Sequence, residues 1–367
     1  MAKKKSKEKA TKKKEKVTIV EDKDKKVVKD QTSPKKFEYI EYKLKEDKLT
    51  EELVKQISID IKKTKDEVER FFFGNRPVID SLMRALICNG HILLEGVPGI
   101  AKTLVINVLG RVSGCTSKRI QFTVDLLPTD ITGLTTYTPG KGFEIEKGPI
   151  FANFVIADEI NRTPPKTQSA MIEAMQEKQV TIGKTTFALP KPFFVMATEN
   201  PLEQEGVYPL PEAQVDRFLF KVIFGYPDEE SEKRVMEENL TFRRFEDLDI
   251  NVVLSPQKII ELQHLVHKVY LSPRVKDYIM AIVKKTREKD FDYGKYISLG
   301  SSPRAGIALY IAAKAQALIK GRTYVVPEDI KEVSKEILRH RIILTYRARA
   351  ENVNTDKIVD EIIRLVK

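Results

Sequence analysis

The stretch that decides the fold runs from residue 91 to residue 103 and reads His-Ile-Leu-Leu-Glu-Gly-Val-Pro-Gly-Ile-Ala-Lys-Thr. The apolar residues 92–94 predict a buried strand, and the small residues that follow predict a loop leading into a helix. Backbone N–H groups in such a loop wrap a polyphosphate, and the helix N-terminus adds partial positive charge. The expected phosphate-binding residues are Gly96, Val97, Pro98, Gly99, Ile100, Ala101, Lys102 and Thr103.

The last two residues of this loop carry most of its chemistry. Lys102 is expected to reach the β- and γ-phosphates of ATP, and the Thr103 hydroxyl is expected to bind Mg²⁺. Ala101 departs from the general pattern, in which a second glycine stands before the lysine. A methyl group fits there if the local φ is negative. The alternative interpretation is a chance turn before an amphipathic helix.

Two acidic residues lie at the end of a second apolar run. Residues 154–157 predict a buried strand, and Asp158 and Glu159 follow it directly. Asp158 is expected to bind Mg²⁺, and Glu159 to orient or deprotonate the attacking water. Taken alone, the pair could be two solvated acids that end a strand. The phosphate-binding loop upstream favours the catalytic interpretation.

Alternation of apolar runs with helical segments predicts an α/β fold. The predicted strands are 92–95, 119–122, 154–157, 193–198 and 218–224. This order predicts a parallel sheet flanked by helices, with ligands bound at the carboxyl ends of its strands. Asn200 follows the fourth strand, and we expect it to polarise the same water as Glu159.

Composition limits the class of protein. The chain has 367 residues, of which 41% are hydrophobic, enough for one large domain and a smaller one. Cys88 and Cys115 have no disulfide or metal spacing, which favours a reducing, cytoplasmic setting. The sequence contains no run of eighteen apolar residues, so no transmembrane segment is expected.

The positive charge is concentrated at one end of the chain. Residues 1–36 contain 15 Lys and 6 acidic residues, a net charge of +9 out of the total of +11, which leaves +2 for the rest. We predict that this Lys-rich segment is a disordered tail. It could contact RNA, DNA or an anionic membrane, or could serve only as a solubilising extension.

Four regions are predicted along the chain. Residues 1–36 form the tail, 37–73 a linker and N-terminal helix, 74–227 the nucleotide-binding domain and 228–367 a helical domain. The predicted helices of the last region are 229–240, 256–270, 274–289, 304–320 and 327–344. Two insertions interrupt the α/β part. Residues 128–148 predict a loop or short hairpin, and 180–187 alternate around Gly183-Lys184 as in a β-hairpin.

Several longer segments resemble the MoxR family of AAA+ ATPases, in the helix-2-insert branch that is related to the magnesium-chelatase motor subunit. They are the loop at 91–103, RIQFTVDLLPTDITG at 119–133, ADEINRTPPKTQSAMIEAMQEKQVTIG at 157–183, ATENPLEQEG at 197–206, LPEAQVDRF at 210–218 and LGSSPRA at 299–305. The resemblance covers residues 74–367, and alanine before the lysine is usual in this family. It implies a P-loop AAA+ core followed by a smaller, all-helical lid.

The resemblance also implies a ring, usually a hexamer, with nucleotide bound between subunits. Arg217 matches the arginine finger, which acts on the γ-phosphate of a neighbouring subunit. Arg304 matches the second sensor, which reaches from the lid to the γ-phosphate of its own subunit, and Asn200 matches the first sensor. The alternatives are that Arg217 caps a helix or pairs with Asp216, and that Arg304 is a surface residue at a helix N-terminus.

The family implies chaperone-like remodelling, assembly or activation of client proteins, often with a partner that has a von Willebrand factor A domain. A nucleic-acid translocase is one alternative, since Lys184 lies at a predicted hairpin tip. The net charge of +2 outside the tail argues against it. Nucleic acid is therefore expected to bind only through the tail. A nucleotide-gated scaffold with little hydrolysis is the other alternative.

Overall fold

A computed structural model describes residues 20–22, 25–29, 38–41, 49–96, 102–140, 142–201, 206–238 and 245–366. The chain divides into two units, residues 1–48 and 49–367. In the first unit, strands β1 (Val20–Asp22), β2 (Lys25–Lys29) and β3 (Glu38–Glu41) form an antiparallel sheet in the order β1-β2-β3.

The first two of these strands correct part of the prediction of a disordered tail. They fall within residues 1–36, and β2 pairs with both of its neighbours. Valines, which favour strands, occur in both segments and were outweighed in the prediction by the lysines around them. The other residues of the predicted tail lie outside the described residues.

The second unit begins with two helices, α1 (Glu51–Glu69) and α2 (Arg76–Ile87). Apolar residues at helical spacing predict a helix at 53–72, and Pro77 predicts the start of a second one that ends near Cys88. Both helices are confirmed, with small shifts at their ends. The Thr50 hydroxyl accepts a hydrogen bond from the Leu53 N–H and so caps the first helix.

A five-stranded parallel sheet forms the centre of the second unit. Its strands, with the helix that follows the first of them, are β4 (Ile92–Gly96), α3 (Lys102–Val112), β5 (Ser117–Gln121), β8 (Phe154–Asp158), β11 (Phe194–Glu199) and β12 (Phe220–Phe224). The strand order is β12-β4-β11-β8-β5, and every pairing is parallel. The predicted strands and their parallel arrangement are confirmed, with ends shifted by one or two residues.

The three central strands β4, β11 and β8 are buried on both faces, which explains why they are nearly continuous apolar runs, whereas the edge strand β5 is polar and mostly exposed. Along β4, Ile92 and Leu94 belong to one hydrophobic cluster, and Leu93 between them belongs to another. The first cluster includes residues of α1, α2 and α3, such as Val105. The second includes Met171 of helix α5 (Pro165–Glu177). Alternating side chains therefore hold helices against both faces.

Both predicted insertions form hairpins. The first contains a short helix, α4 (Pro128–Thr132), and then strands β6 (Gly133–Thr138) and β7 (Gly142–Lys147). A Cβ on Gly133 would lie 2.2 Å from the carbonyl oxygen of Glu146, so only glycine fits at the base of this hairpin. The second insertion pairs β9 (Gln179–Ile182) with β10 (Thr185–Ala188).

Helices dominate the chain after β12. They are α7 (Glu229–Glu238), α8 (Pro256–Leu265), α9 (Pro273–Lys285), α10 (Pro303–Ile319), α11 (Pro327–Leu338), α12 (Tyr346–Ala350) and α13 (Thr355–Leu365). A short helix, α6 (Glu212–Val215), precedes β12. The two helices after residue 344 were not predicted. None of the helices in the described ranges is long and apolar enough to cross a membrane.

The prediction of a lid helix at 327–344 is wrong at its C-terminal end. It stops at Leu338, and strand β14 (Ile343–Leu344) pairs with β13 (Ile297–Leu299). The buried Arg341 donates hydrogen bonds to backbone carbonyls around residue 218, which gives residues 339–342 partners outside a helix. Apolar periodicity continues through these residues, so the sequence pattern could not reveal that the helix ends at Leu338.

Candidate active site

Three neighbouring strands end at the same edge of the sheet and carry the predicted site residues there. Gly96 ends β4, Asp158 ends β8, and Asn200 directly follows β11. In the sheet register, Glu199 lies beside Glu95. The structure therefore brings together residues that are up to 104 positions apart in the sequence. Of the predicted loop, Val97, Pro98, Gly99, Ile100 and Ala101 lie outside the described residues.

Lys102 is the first residue of α3, and its ammonium group lies at the sheet edge. Its Nζ donates hydrogen bonds to the carbonyl oxygen of Gly96 and, over 3.5 Å, to that of Glu199. Burial lowers the pKa of Lys102, and the carboxylates of Asp158 and Glu159 oppose that shift. Thr103 follows and is partly exposed. The Lys102 ammonium thus lies close to the end of β4 and to the acidic residues Asp158 and Glu159, where a bound polyphosphate would need a positive charge.

The Asp158 carboxylate is held at both oxygens. Thr198 Oγ1 donates to Oδ1 over 2.6 Å, while Arg119 donates to Oδ2 from Nε at 3.0 Å and from Nη2 at 2.6 Å. A carboxylate and the Thr103 hydroxyl supply hard oxygen ligands, the donor type that Mg²⁺ prefers. The residues present therefore fit a magnesium ion.

Glu159 has an unusual backbone conformation for its residue type. Its φ of +56° and ψ of 50° lie in the left-handed region, which non-glycine residues seldom occupy and which costs on the order of 1–3 kcal/mol. The Glu159 N–H donates to Thr198 Oγ1 over 2.9 Å and helps to hold this turn. The left-handed residue thus comes directly after Asp158, at the end of β8.

The Glu159 carboxylate also has partners within its own chain. Gln121 Nε2 donates to Oε2 over 2.9 Å, and Arg162 Nε forms an ion pair with the same oxygen at 3.2 Å. Gln121 in turn accepts a hydrogen bond from Arg119 Nη2 at 2.6 Å. The two strand residues Arg119 and Gln121 thus connect the two acidic residues.

Sequence reasoning missed three residues of this site: Arg119, Gln121 and Thr198. Arg119 and Gln121 are two positions apart on β5, so they share one face, and polar residues at i and i+2 of a parallel strand were an available signal. Thr198 lies on β11, two residues before Asn200. It is 1% exposed, and nothing in the sequence distinguishes it from an ordinary buried threonine.

A second charged group lies at the ends of β4 and β11. Lys221 Nζ of β12 lies 2.5 Å from Glu95 Oε2 and 3.8 Å from Glu199 Oε2. Burial raises the pKa of Glu199, and Lys221 acts in the opposite direction. Asn200, directly after Glu199, is buried at this edge. The Lys221 side chain therefore joins β12 to the carboxyl ends of β4 and β11.

Arg217 and Arg304 lie at the boundary between the sheet and the helical part. Arg304 Nη1 is 3.3 Å from Asp216 Oδ2, and Arg341 Nε is 2.8 Å from Oδ1 of the same carboxylate. Arg217 is partly exposed, and among the residues that the structure describes its side chain has no hydrogen-bond or ion-pair partner. The alternative that Arg217 pairs with Asp216 is therefore not what the structure shows.

Comparisons with known proteins agree with this arrangement. Residues 91–220 match the ATPase family associated with various cellular activities (AAA), and residues 294–362 match the AAA lid domain. The expected AAA+ core with a helical lid is thus confirmed, with the short β13–β14 sheet as an addition to the lid.

Individual relatives show which branch of the AAA family the chain resembles. The chain is 43% identical to Chaperone MoxR1 of Mycobacterium tuberculosis over 82% of this chain and 80% of that one. It is 28% identical to Protein MoxR of Methylorubrum extorquens over 80% of this chain and 90% of that one. A solved structure of a candidate ATPase from Cytophaga hutchinsonii superposes with a TM-score of 0.79 at 46% identity, covering 86% of this chain and 97% of that one. From the sheet-edge site and these relatives together, we conclude that the chain hydrolyses ATP and belongs to the MoxR family of AAA+ ATPases.

Proposed function

We propose that this ATPase forms a ring of identical subunits, expected to be a hexamer, and uses Mg-ATP hydrolysis to remodel, assemble or activate client proteins. The observation that carries the proposal is the pair Asp158 and Glu159, held by one hydroxyl beside the Lys102 ammonium. A similar protein that is named a chaperone supports the kind of work proposed. A cytoplasmic setting stays a prediction from cysteine usage.

In this proposal each residue at the sheet edge has a separate role. Residues 96–103 and the Lys102 ammonium bind the phosphates, while Thr103 and Asp158 hold Mg²⁺. A bound magnesium ion would neutralise charge on the phosphate oxygens. Glu159 orients or deprotonates the attacking water, and Asn200 polarises that water from the neighbouring strand.

Gln121 and Arg162 bear directly on this chemistry because both contact the Glu159 carboxylate. A carboxylate that accepts these bonds is held in place and is less available to a water molecule. Because both bonds end on Oε2, both would have to be released before that oxygen could accept a bond from the water. We infer that the bonds from Gln121 and Arg162 restrain Glu159 until the site is assembled.

Two arginines would complete the site around the γ-phosphate. Arg304, at the start of α10, is the proposed sensor within the same subunit, and its side chain is 49% exposed. Arg217 is the proposed finger for the next subunit, and the fact that no described residue of its own chain pairs with its side chain supports a partner elsewhere. An arginine finger contributes about 10³–10⁵ in rate in related enzymes.

The first insertion is the proposed contact with clients. Tyr137 and Phe143 of the β6–β7 hairpin are 64% and 79% exposed, and their ring centroids lie 5.3 Å apart. Exposed aromatic side chains are typical of surfaces that bind other proteins. A partner with a von Willebrand factor A domain is proposed from the family resemblance alone.

The test is steady-state ATPase activity with Mg²⁺ at increasing protein concentration. Wild type should gain specific activity as rings form, and Arg217→Ala should stay low at every concentration. Arg274→Ala, which removes an exposed arginine of α9, is the matched control and should behave as wild type. Activity that is independent of concentration and unchanged by Arg217→Ala would contradict the shared site.

A further inference from the structure

Three residues of the lid meet at the carboxylate of Asp216. Arg341 Nε donates to Oδ1 over 2.8 Å. Ser302 Oγ and Arg304 Nη1 donate to Oδ2 over 3.1 and 3.3 Å. Asp216 itself belongs to the core segment between α6 and β12, and Arg217 is the next residue. One side chain therefore joins the lid to the position beside the proposed finger.

Arg341 also binds the backbone on both sides of Arg217. Its Nη2 donates to the carbonyl oxygen of Asp216 over 3.1 Å and to that of Phe218 over 2.7 Å. The Arg341 side chain is 3% exposed, so its charge depends on these partners. Removing a partner from a buried charge is strongly unfavourable. Arg341 is thus a lasting connection, and it sets where the Arg217 backbone lies relative to the lid.

Arg304 makes a different kind of contact with the same carboxylate. Its side chain is half exposed, and its bond to Asp216 is long, at 3.3 Å. An exposed pair of this kind is weak and easily exchanged for another anion. Asp216 therefore contacts Arg304, a lid arginine that can leave it, and affects the position of Arg217, which follows it in the core.

We propose that Asp216 is a positioning residue that lets the lid of one subunit place Arg217 at the nucleotide of the next subunit. The idea rests on the proposed function, because it needs Arg217 to act across a subunit boundary. Arg341 holds the segment to the lid, and Arg304 reports the nucleotide of its own subunit through the bond it shares with Asp216. Neighbouring sites would thereby be coupled.

Rings that contain two different variant subunits distinguish a positioning role of Asp216 from a purely structural one. Glu159→Gln subunits keep Arg217 but have a disabled site, whereas Arg217→Ala subunits keep their site but offer no finger. Mixing the two should restore ATPase activity at the boundaries where each supplies what the other lacks. Asp216→Asn is then added to one kind of subunit at a time.

The expected result depends on which subunit carries Asp216→Asn. In the finger-supplying Glu159→Gln subunit, the restored rate should fall about tenfold to a hundredfold, the range expected when a catalytic group is misplaced by about 1 Å. In the Arg217→Ala subunit the rate should fall much less, because the Asp216 of that subunit lies beside no finger and affects only its own lid and Arg304. A change of thermal stability would be the same in both placements, so stability alone cannot produce this difference.

A second variant and a control complete the design. Ser302→Ala removes one of the two donors to Oδ2 and should lower the restored rate on the order of fivefold, again only in the finger-supplying subunit. Asp360→Asn removes a surface carboxylate that pairs with Lys335 within the lid and should have no effect in either placement.

The outcomes are distinguishable. Equal loss in both placements, or no loss in either, would overturn the role of Asp216 while leaving the shared site intact. Failure of the unmodified mixture to regain any activity would overturn the shared site itself and, with it, the role of Asp216.

Discussion

The hydroxyl of Thr198 donates a hydrogen bond to Asp158 Oδ1 over 2.6 Å and so joins the end of β11 to the end of β8. Thr198 Oγ1 also accepts a hydrogen bond from the N–H of Glu159 over 2.9 Å. One buried hydroxyl therefore fixes both the carboxylate proposed to hold Mg²⁺ and the backbone of the proposed base. This geometry makes Thr198 the first residue to test.

Replacing Thr198 by valine keeps the shape of the side chain and removes its hydroxyl. We expect ATP turnover to fall roughly tenfold or more, because the positions of Asp158 and Glu159 are no longer fixed. The free energy of unfolding should drop by about 1–3 kcal/mol, since the Glu159 N–H loses its partner. Turnover and urea unfolding measure the two effects. Thr198→Ser is the control, and valine that performs as well as serine would contradict the prediction.

Glu159→Gln should bind ATP as wild type does and nearly abolish turnover. The amide cannot accept a proton from water, while the phosphate-binding residues are unchanged. Nucleotide affinity by calorimetry and steady-state ATPase activity measure the two properties. Glu177→Gln, on α5, is a control with the same chemical change. Normal turnover in Glu159→Gln would show that another residue activates the water.

Arg341→Ala should destabilise the protein strongly. The buried guanidinium bonds to the Asp216 carboxylate and to the carbonyls of Ile337, Phe218 and Leu219. Breaking a buried charge pair costs about 3–5 kcal/mol. Asp360→Asn, at an exposed lid pair, should cost about 0–1 kcal/mol. Urea unfolding of both variants gives the comparison, and similar losses would mean that Arg341 contributes no more than a surface pair.

Stability should decrease as pH falls from 6.5 towards 4 because of His91. This side chain is buried, with Nδ1 accepting the Val195 N–H and Nε2 near the Met175 carbonyl oxygen. Burial lowers the pKa of His91 to about 4, while the unfolded chain keeps the ordinary value of 6.5. Between these values the unfolded state binds the extra proton, so stability is present above pH 6.5 and is lost on acidification. The contribution is about 3 kcal/mol.

The free energy of unfolding between pH 4.5 and 7.5 tests this dependence. His91→Gln should flatten the slope over that range, because glutamine does not titrate. His264→Gln, at an exposed position of α8, should leave the slope as it is in wild type. An unchanged slope in His91→Gln would assign the acid sensitivity to other groups.

Deleting residues 1–36 should leave an ATPase that neither DNA nor RNA stimulates. The remaining residues have a net charge of +2, too small for a translocating pore that must hold phosphates. ATPase assays with and without nucleic acid, on the full chain and the truncated one, measure this effect. Stimulation of the truncated protein would favour the nucleic-acid translocase instead.

Much of the fold could be predicted because its signals are local. The central strands β4, β8 and β11 are apolar runs, since both faces of the sheet are covered there, and Gly183-Lys184 marks a hairpin within eight residues. The same reliance on local patterns failed at Ile343–Leu344, where helical periodicity continued into a strand. It failed again at β1 and β2, where lysines obscured the valines.

By itself, the sequence determined the positions of the five sheet strands along the chain, and it predicts the phosphate-binding loop and the acidic pair Asp158-Glu159, because spacing along the chain carries that information. Only the tertiary structure decided that Arg119 and Gln121 connect the two acids, and that Arg341 binds Asp216 across 125 residues. Such contacts depend on strand register and on how the lid packs against the sheet. No periodic pattern in the chain encodes which distant polar side chains then meet.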